Sequence, residues 1–494
     1  MKRFFASIAF IAIAVSSFAG GLLTNTNQSA SFVRNPMRYA SLETDAIYFN
    51  PAGTAFFKEG WAFSVNWQMI WQDRDILHTK YLVEPGEKKH KGEVFVPCMP
   101  SLFAAYKKGN WTFSGYFGIP GGGGKAEFND GLPLFNTLGN GFKDLLPIMT
   151  GSVADGNAYS EFQSTQYVFS LQLGAAYRIN NNLSAYAGLR TNYTSASYEG
   201  NIAMTGIHPT SGRIKNTLLA LDLKQTGVAF APVIGVNYKI GKVHLAAKYE
   251  FRAVTNIKND TDNLEIFNQN YNKGVAAAGK TIGTKTYAFA YKAAYEGAVA
   301  AGMPEDVADQ FAKGKANEAL QGVSAAGGKL GELSSLEDGK KLRSDAPALL
   351  SVAASWEICP RLQVMGGVNY YFDKDAKVES LLGATNNNAK LSRNTYEILG
   401  GVEFKLTKKW LLSAGFQFSD FGVNDEYLSD VSFINDSFTT GIGAKYSIND
   451  KLDLNFGVCY ANYAKSRIPD YDNHVETKYL RKTYNVAVGV DFRF

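Results

Sequence analysis

The stretch that decides the fold is the carboxyl end of the chain, Tyr484–Phe494, which reads YNVAVGVDFRF. Every second residue in it is a large apolar one, and the residues between are small or polar. Because successive side chains of a β-strand point to opposite faces, this pattern predicts a strand with one apolar and one polar face. Three other stretches alternate in the same way, namely Val243–Phe251, Trp410–Phe418 and Leu452–Tyr460.

The alternation recurs along most of the 494 residues, and it predicts an all-β fold. Most of the alternating segments have the length that a tilted strand needs to cross a membrane. The second segment is the weakest, because Pro97 and Pro100 interrupt it. We count fourteen segments, near residues 61–72, 91–106, 111–119, 166–178, 183–203, 219–238, 243–253, 347–357, 362–372, 395–406, 410–419, 438–448, 452–460 and 484–494.

The connections between these segments alternate between short and long. The short ones are built from Gly, Asn, Asp, Lys or Pro, which are the residues of hairpin turns. Transmembrane barrels have short periplasmic turns, long external loops and an even number of strands. We therefore predict a 14-stranded antiparallel transmembrane β-barrel with both ends periplasmic and its apolar faces toward lipid. Aromatic residues near the strand ends are expected to form the interfacial girdles: Trp61, Trp71, Trp111, Trp356, Trp410, Tyr370, Tyr371 and Tyr446.

Composition excludes several other classes of protein. Charged residues make up only 19% of the chain, too little for a nucleic-acid binder, and the many β-forming residues argue against disorder. No run of 18 apolar residues follows residue 21, so a helical membrane protein is not expected. Cys98, Cys359 and Cys459 are too widely spaced for a disulfide framework or a zinc ribbon. Neither a metal site nor a cofactor is expected.

Residues 1–19 have the features of a secretory signal segment. Lys2 and Arg3 precede an apolar run, and Ser17-Phe18-Ala19 resembles a cleavage site, so export and cleavage near Ala19 are expected. An uncleaved anchor is the alternative. Residues 20–60 follow without any alternation. Since the mature amino end is expected on the periplasmic side, this piece is predicted to fold into the lumen as a plug, with the barrel proper spanning 61–494.

A long insertion, residues 255–346, falls in an external loop. Tyr287, Tyr291 and Tyr295 recur at four-residue spacing among alanines, which indicates a helical stripe, and Phe311 continues an apolar face on a second helix. We expect a helical cap near the barrel mouth that captures a hydrophobic ligand together with loop 120–165. A solvated structural loop is the alternative.

Residues 41–53, SLETDAIYFNPAG, carry a resemblance to a known family. The stretch resembles the plug motif of the FadL/TodX-type outer-membrane transporters, and YFGIPGGGG after the third strand and the terminal Phe494 resemble the same family. The resemblance implies transport of long-chain fatty acids and other hydrophobic compounds, and it implies that the assembly machinery recognises Phe494. The insertion departs from the family pattern and leaves the ligand open. The plug and gate residues implied are Asp45, Tyr48, Phe49, Asn50, Pro51, Ala52 and Gly53.

Two of these motifs also have a direct physical interpretation. In Asn50-Pro51-Ala52-Gly53, Asn starts a turn, Pro removes a buried donor, and the small residues allow close packing, although a plain tight turn is the alternative. A Pro-Gly tract cannot keep regular strand pairing, and the family resemblance implies that this tract borders a side exit. A flexible external loop is the alternative there. The tract comprises Pro120, Gly121, Gly122, Gly123 and Gly124.

The function expected is passive outer-membrane transport, not catalysis. A ligand would bind at the external loops, enter the lumen, and leave sideways through the wall when the plug shifts. Expected partners are a hydrophobic ligand, outer-membrane lipid and the assembly machinery, with no nucleic acid, and a monomer is expected. The alternatives are a barrel-type enzyme using Asp73, Asp75 and His78 or Asp470, Asp472 and His474, a non-specific porin or adhesin, and haem uptake through His78, His90, His208 and His474.

Overall fold

The computed structural model describes residues 29–80, 86–381, 385–430, 433–470 and 475–494. The expected signal segment and the first residues of the expected plug lie outside this range. Fourteen long antiparallel strands form the wall of a barrel, which confirms the predicted fold. They are β1 Gly60–Lys80, β2 Glu93–Lys108, β3 Trp111–Phe128, β4 Tyr159–Arg178, β5 Leu183–His208, β6 Gly212–Ile240, β7 Val243–Glu250, β8 Leu349–Cys359, β9 Leu362–Tyr371, β10 Tyr396–Lys405, β11 Trp410–Asp420, β12 Ser437–Asn449, β13 Leu452–Tyr463 and β14 Val475–Arg493.

The sheet closes on itself, because β14 pairs with β1 from Ala62 opposite Arg493 to Lys80 opposite Val475. Each other strand pairs with the next along the chain. Every predicted segment coincides with one strand, but several strands run further outward than the alternation indicated. β5 has 26 residues and β6 has 29, and the external part of β6 pairs with an added strand, Asn256–Ile266.

Along each strand the small and polar side chains face inward and the apolar ones outward. In β14, Asn485 and Ala487 are buried, whereas Tyr484 and Val488 are exposed. The outward position of the expected girdle residues is confirmed for the five tryptophans and Tyr370, while Tyr446 is half-buried. The prediction for Tyr371 was wrong. It is buried, because it directly follows Tyr370 and must point to the other face of the strand.

The described amino-terminal residues lie inside the barrel. They form the short helices α1 (Ala30–Arg34) and α2 (Ala46–Phe49), followed by a 3-10 turn, Pro51–Phe56. We call residues 29–57 the lumenal segment. α1 packs against β12, β13 and β14, whereas the 3-10 turn packs against the opposite wall, from β3 to β7. The segment therefore crosses the lumen, which is the position expected of a plug.

The external loops carry the longer helices. α3 (Pro133–Gly141) and α4 (Leu146–Thr150) lie between β3 and β4. α5 (Val275–Ala300) and α6 (Glu305–Leu330) form a hairpin between β7 and β8, so the insertion is helical as predicted. No helix in the described ranges is long and apolar enough to cross a membrane. Short strands and 3-10 turns complete the loops: Gly86–His90, Lys143–Leu145, Val153–Ala154, Gln269–Asn270, Gly331–Leu336, Lys341–Arg343, Asp373–Asp375, Asn387–Lys390 and Ser466–Asp470.

Candidate functional site

Two buried arginines fix the lumenal segment to the barrel wall. The Nη1 atoms of Arg34 and Arg38 both bind Glu403 Oε1 on β10, at 2.7 and 2.9 Å. Their Nη2 atoms bind Glu43 Oε2 at 2.6 and 2.5 Å. Because the two guanidinium groups are almost inaccessible to solvent, each depends on these carboxylates for compensation of its charge.

Asp45 and Lys445 complete this cluster, which we call the ion cluster. Asp45 accepts from Arg38 Nε at 2.9 Å and from the hydroxyl of Ser29 at 2.9 Å, so its side chain holds the segment together and does not cap α2. Lys445 on β12 binds Glu43 Oε1 at 2.5 Å. Three cations thus face three carboxylates, and the cluster as a whole is neutral.

The ion cluster predicts how the lumen responds to acid. Burial alone raises the pKa of Glu43, but Lys445, Arg34 and Arg38 hold that pKa well below its ordinary value of 4.5. A carboxylate with a depressed pKa contributes its full stabilisation of the segment at every pH above the ordinary pKa of the group. This stabilisation is lost as the pH falls through the depressed pKa. We therefore expect the ion conductance of the barrel in planar bilayers to stay constant from neutral pH down to 4.5 and to rise below it. A rise that is complete above pH 4.5 would contradict this prediction.

Glycines of the wall make room for α1. A Cβ added at Gly457 on β13 would lie 2.6 Å from the backbone nitrogen of Arg34 and 2.9 Å from the carbonyl oxygen of Ala30. Real Cβ atoms do not come so close to backbone, so the segment rests directly on the main chain of the wall. We call these residues the glycine cradle, which comprises Gly401, Gly415, Gly441, Gly443, Gly457 and Gly489. In the sequence, the alternating pattern identifies these glycines only as small residues on the inward face of the strands.

The Asn-Pro-Ala-Gly motif forms an anchored turn. Asn50 Nδ2 donates to the carbonyl of Ser41 at 3.1 Å, and Asn50 Oδ1 accepts from the backbone N–H of Gly53 at 3.3 Å. Pro51 begins the 3-10 turn. The Ser184 hydroxyl on β5 donates to the carbonyl of Ala52 at 2.7 Å. These residues hold the shape and position of the segment and do not line a described cavity.

Phe49 is the centre of an aromatic group within the segment. Its ring centroid lies 5.5 Å from that of Phe32, 5.3 Å from Tyr39 and 5.0 Å from Tyr48. Tyr48 also contacts the ring of Tyr116 on the wall at 4.7 Å. Aromatic pairs at these separations add stability beyond their buried area. Of the predicted plug residues, Tyr48 alone also reaches a described cavity.

A cavity of about 920 Å³, counting its opening, lies between the lumenal segment, the wall and the external loops. We call it the central cavity. Tyr39 and Tyr48 contribute from the segment, and Pro120 and Gly121 from β3. The structure thus brings together three predicted site residues, Tyr48, Pro120 and Gly121, which lie far apart in sequence. The remaining lining mixes polar and apolar residues: Gln166, Val168, Arg190, Asn192, Thr194, Ala231, Glu250, Phe251, Ala253, Thr255, Ser344, Asp345, Ala346, Pro347, Leu349 and Tyr371.

Two buried cations and one carboxylate stand beside the central cavity. Arg190 Nη1 and Lys248 Nζ bind the two oxygens of Glu250 at 2.5 and 2.6 Å. Arg190 lies 4.4 Å above the ring of Tyr48, and Lys248 also donates to the Tyr48 carbonyl at 3.0 Å. Burial raises the pKa of Tyr48 to about 12, so its phenol stays neutral. The group therefore carries one excess positive charge. The sequence contains no motif that marks Arg190 as a site residue, whereas Lys248 and Glu250 lie on the polar face of a predicted strand.

The wall is interrupted next to the central cavity. β3 bulges twice against β4, between Gly118 and Gly121 and between Gly122 and Lys125. Against β2, pairing stops after Val94 opposite Ala126 and resumes at Leu102 opposite Phe117. We call this stretch the wall break. The prediction that the Pro-Gly tract interrupts regular pairing is confirmed.

Glycine is required within the wall break. Gly122 and Gly124 have φ angles of +74° and +103°, which other residues rarely adopt. The indole of Trp67 on β1 donates to the carbonyl of Pro97 at 2.8 Å, so an exposed side chain compensates one carbonyl of the interrupted ladder. Backbone groups facing lipid need such partners.

An apolar pocket of about 750 Å³, counting its opening, lies among the external loops. We call it the mouth pocket. Loop 120–165 contributes to it together with the end of the insertion, so these two loops meet as expected. Its lining contains one polar side chain, that of Asn201. The other lining residues are Phe135, Leu138, Phe142, Phe162, Gly200, Ile202, Leu218, Leu219, Leu221, Ile266, Leu333, Leu336 and Leu381.

The aromatic residues predicted to capture ligand lie elsewhere. Tyr291 donates to Asp309 on the neighbouring helix at 2.7 Å and stacks on Tyr295 at 5.9 Å, so both serve the α5–α6 hairpin. Phe311 is exposed and packs under Lys315. Neither these residues nor Tyr287 line the central cavity or the mouth pocket.

The external histidines within the described ranges already have partners. His90 Nδ1 contacts the carbonyl of Gly131 at 2.8 Å, His78 Nδ1 contacts the Thr477 hydroxyl at 3.2 Å, and His208 accepts from a backbone N–H at 3.2 Å. His474 lies outside the described residues. Among the described residues, no group of three or more His, Cys, Asp or Glu side chains is placed to hold a metal ion.

A closed barrel with an apolar outer face and its own amino-terminal segment in the lumen defines a class, the plugged outer-membrane barrels. Residues 155–494 match the family described as outer membrane protein transport protein (OMPP1/FadL/TodX). This match covers more than half of the chain, and the chain therefore belongs to that family, which places it in the bacterial outer membrane. No curated protein matches the chain in sequence.

Solved structures agree on the fold. A Pseudomonas aeruginosa FadL homologue is 15% identical with a TM-score of 0.59, and the alignment covers 98% of this chain and 100% of the homologue. The Ralstonia pickettii toluene transporter TbuX is 13% identical with a TM-score of 0.54, covering 96% and 99%. The Pseudomonas putida toluene transporter TodX is 12% identical with a TM-score of 0.51, covering 91% and 94%. At these identities the likeness concerns the fold alone.

Proposed function

We propose that the protein carries hydrophobic compounds with a polar head, above all long-chain fatty acids, through the outer membrane. One observation carries the proposal. The central cavity is bounded at once by Tyr48 of the lumenal segment, by the cation Arg190 and by Gly121 of the wall break. A ligand in this cavity therefore contacts the lumenal segment, which must move, the cation Arg190, which recognises the ligand's polar head, and the wall break, which is the exit.

Capture takes place at the mouth pocket. Its lining is almost wholly apolar, which suits an alkyl tail or a hydrocarbon and offers no partner to a charge. Burying a methylene group contributes about 0.8 kcal/mol, so tails of increasing length are held increasingly well. This assigns capture to the loops around Phe135 and Leu336 instead of the tyrosine stripe of α5.

The central cavity distinguishes acids from hydrocarbons. The excess positive charge of Arg190 and Lys248 over Glu250 attracts a carboxylate to this cavity. A hydrocarbon such as toluene, which two of the structural relatives are named for transporting, gains nothing from this charge. The occupied lumen also argues against a non-specific porin, and the histidines give no support to haem uptake.

Exit proceeds sideways through the wall break when the lumenal segment shifts. The central cavity reaches Pro120 and Gly121, so a bound tail needs no further channel to arrive at the wall. The transport is passive and follows the concentration gradient of the ligand. Recognition of the exposed Phe494 by the assembly machinery and the monomeric state stay predictions.

Deleting Pro120 and Gly124 together tests the exit. Each deletion removes one of the two extra residues of β3 against β4, so the strand is expected to pair regularly. We expect oleate still to bind the purified variant but its delivery into lipid to fall to that of vesicles without protein. Delivery is measured with a fluorescent fatty-acid sensor in reconstituted vesicles.

The matched control deletes Gly156, an exposed loop residue with open space around it. This variant is expected to bind and deliver oleate as the wild type does. Normal delivery by the double deletion would overturn the exit. A wild type that binds neither oleate nor toluene would overturn the proposed function itself.

A further inference from the structure

Two arginines face each other near the barrel mouth with no acidic partner in the part of the chain that the structure describes. Arg74 on β1 pairs directly with Arg481 on β14, and both occupy inward-facing positions of their strands. The guanidinium of Arg74 lies 4.7 Å from the ring centre of Phe433, and that of Arg481 lies 4.5 Å from the ring centre of Tyr463. We call Arg74 and Arg481 the arginine pair.

The hydrogen bonding of the arginine pair is incomplete. The Nε atoms of both side chains are buried and have no hydrogen-bond partner among the described residues. The side chain of Arg74 donates to one acceptor, the carbonyl of Phe433, through Nη2 at 3.2 Å. Neither arginine forms a salt bridge with a carboxylate of the described residues. Two half-buried like charges whose buried Nε donors are unused are costly, and a bound anion removes that cost.

The surroundings of the arginine pair are apolar on one side. Phe433 stacks on Tyr479 at 4.8 Å, and both belong to the same apolar cluster as Phe135 of the mouth pocket. The nearby carboxylate of Asp430 accepts from the Tyr479 hydroxyl at 2.9 Å and from the backbone N–H of Leu134 at 2.7 Å. This carboxylate is thus bound to β14 and to the backbone of an external loop. Phe433 and Tyr479 are themselves buried, so the arginine pair adjoins the interior of an apolar cluster that also reaches the mouth pocket.

We propose that the arginine pair binds the carboxylate head of an amphiphile whose tail extends toward the apolar cluster that contains Phe433 and Tyr479. A carboxylate accepts several hydrogen bonds and suits the unused guanidinium donors, and the adjoining rings suit an alkyl chain. The site is separate from the central cavity, since neither Arg74 nor Arg481 lines that cavity. This inference depends on the proposed function only for the class of ligand.

The test uses dodecanoate labelled with ¹³C at its carboxyl carbon, added to the full-length mature barrel in an uncharged detergent. We expect a bound carboxyl resonance that is absent from the variants Arg74→Met and Arg481→Met. Loss of hydrogen bonds to a charged group predicts at least about a tenfold weaker affinity for this site in both. Dodecanol, which has the same tail and no charge, is expected to bind both variants as it binds the wild type.

The control variant is Arg213→Met, which removes an exposed arginine of an external turn and is expected to keep the resonance. Arg74→Lys keeps the charge but loses the fork of donors, and it is expected to weaken the site less than Arg74→Met. A resonance that persists in both Met variants overturns the proposal, as does equal loss of dodecanol binding. Acetate binding as tightly as dodecanoate overturns the role of the tail. A wild type that delivers oleate without this resonance leaves the proposed function intact and removes the arginine-pair site.

Discussion

Replacing Glu403 with alanine is expected to open the lumen to ions. Glu403 belongs to the wall, and it is the shared acceptor of Arg34 and Arg38 in the lumenal segment. Its removal leaves two buried guanidinium groups undercompensated, and breaking a buried ion pair costs about 3–5 kcal/mol. That cost applies only while the segment occupies its site, so displaced segments become more frequent. We expect a higher single-channel conductance in planar bilayers.

The matched control for Glu403→Ala is Asp155→Ala. Asp155 pairs with Arg213 outside the membrane, where the Arg213 side chain is 72% exposed and that of Asp155 is 33% exposed, and solvent-accessible pairs contribute little. The control should therefore conduct like the wild type. Wild-type conductance in a correctly folded Glu403→Ala barrel would show that the ion cluster does not hold the segment in place.

Replacing Gly457 with leucine is expected to expel the segment by steric conflict. Already the first side-chain atom at position 457 would lie 2.6 Å from the backbone nitrogen of Arg34, and the neighbouring contacts are also with segment backbone. The wall cannot retreat without losing its ladder, whereas the segment has no such ladder. We expect raised conductance together with cleavage of the segment by an added protease, while the barrel keeps its heat-modifiable migration in gel electrophoresis.

Gly366→Leu provides the comparison for this substitution. Gly366 lies on the outward face of β9, where an added Cβ would meet one atom at 3.9 Å. Leucine there is expected to leave conductance and protease resistance unchanged. An intact, protease-resistant segment in Gly457→Leu would mean that α1 does not depend on the glycine cradle.

Alternation predicted the barrel because it is a local property of each strand. The inward and outward residues of β14 follow directly from the order YNVAVGVDFRF. The same rule corrects the error at Tyr371, since two consecutive tyrosines cannot both face lipid. The outward extension of β5 and β6 was harder to recognise, because strands beyond the membrane need no apolar outer face.

The site could be predicted only in part, because its contacts join distant parts of the chain. The Asn50 turn and the tract around Gly121 have local signatures. The bonds from Arg34 to Glu403, or from Arg190 to Glu250, depend on how fourteen strands are arranged around a lumen. The tyrosine stripe of α5 shows the opposite difficulty. Its spacing correctly predicted a helix, but spacing does not tell whether a ring such as Tyr291 meets a ligand or a neighbouring helix.

The great length of β5 determines where a substrate is first collected. At about 3.3 Å per residue and a tilt near 45°, the stretch from Leu183 to Ile202 rises roughly 45 Å from the periplasmic turn. The hydrocarbon layer is only about 25 Å tall at such barrels. The mouth pocket, which Ile202 lines, therefore lies well outside the acyl chains of the membrane. Resident lipids cannot reach it without leaving the bilayer, so it remains vacant for molecules arriving from the surroundings of the cell.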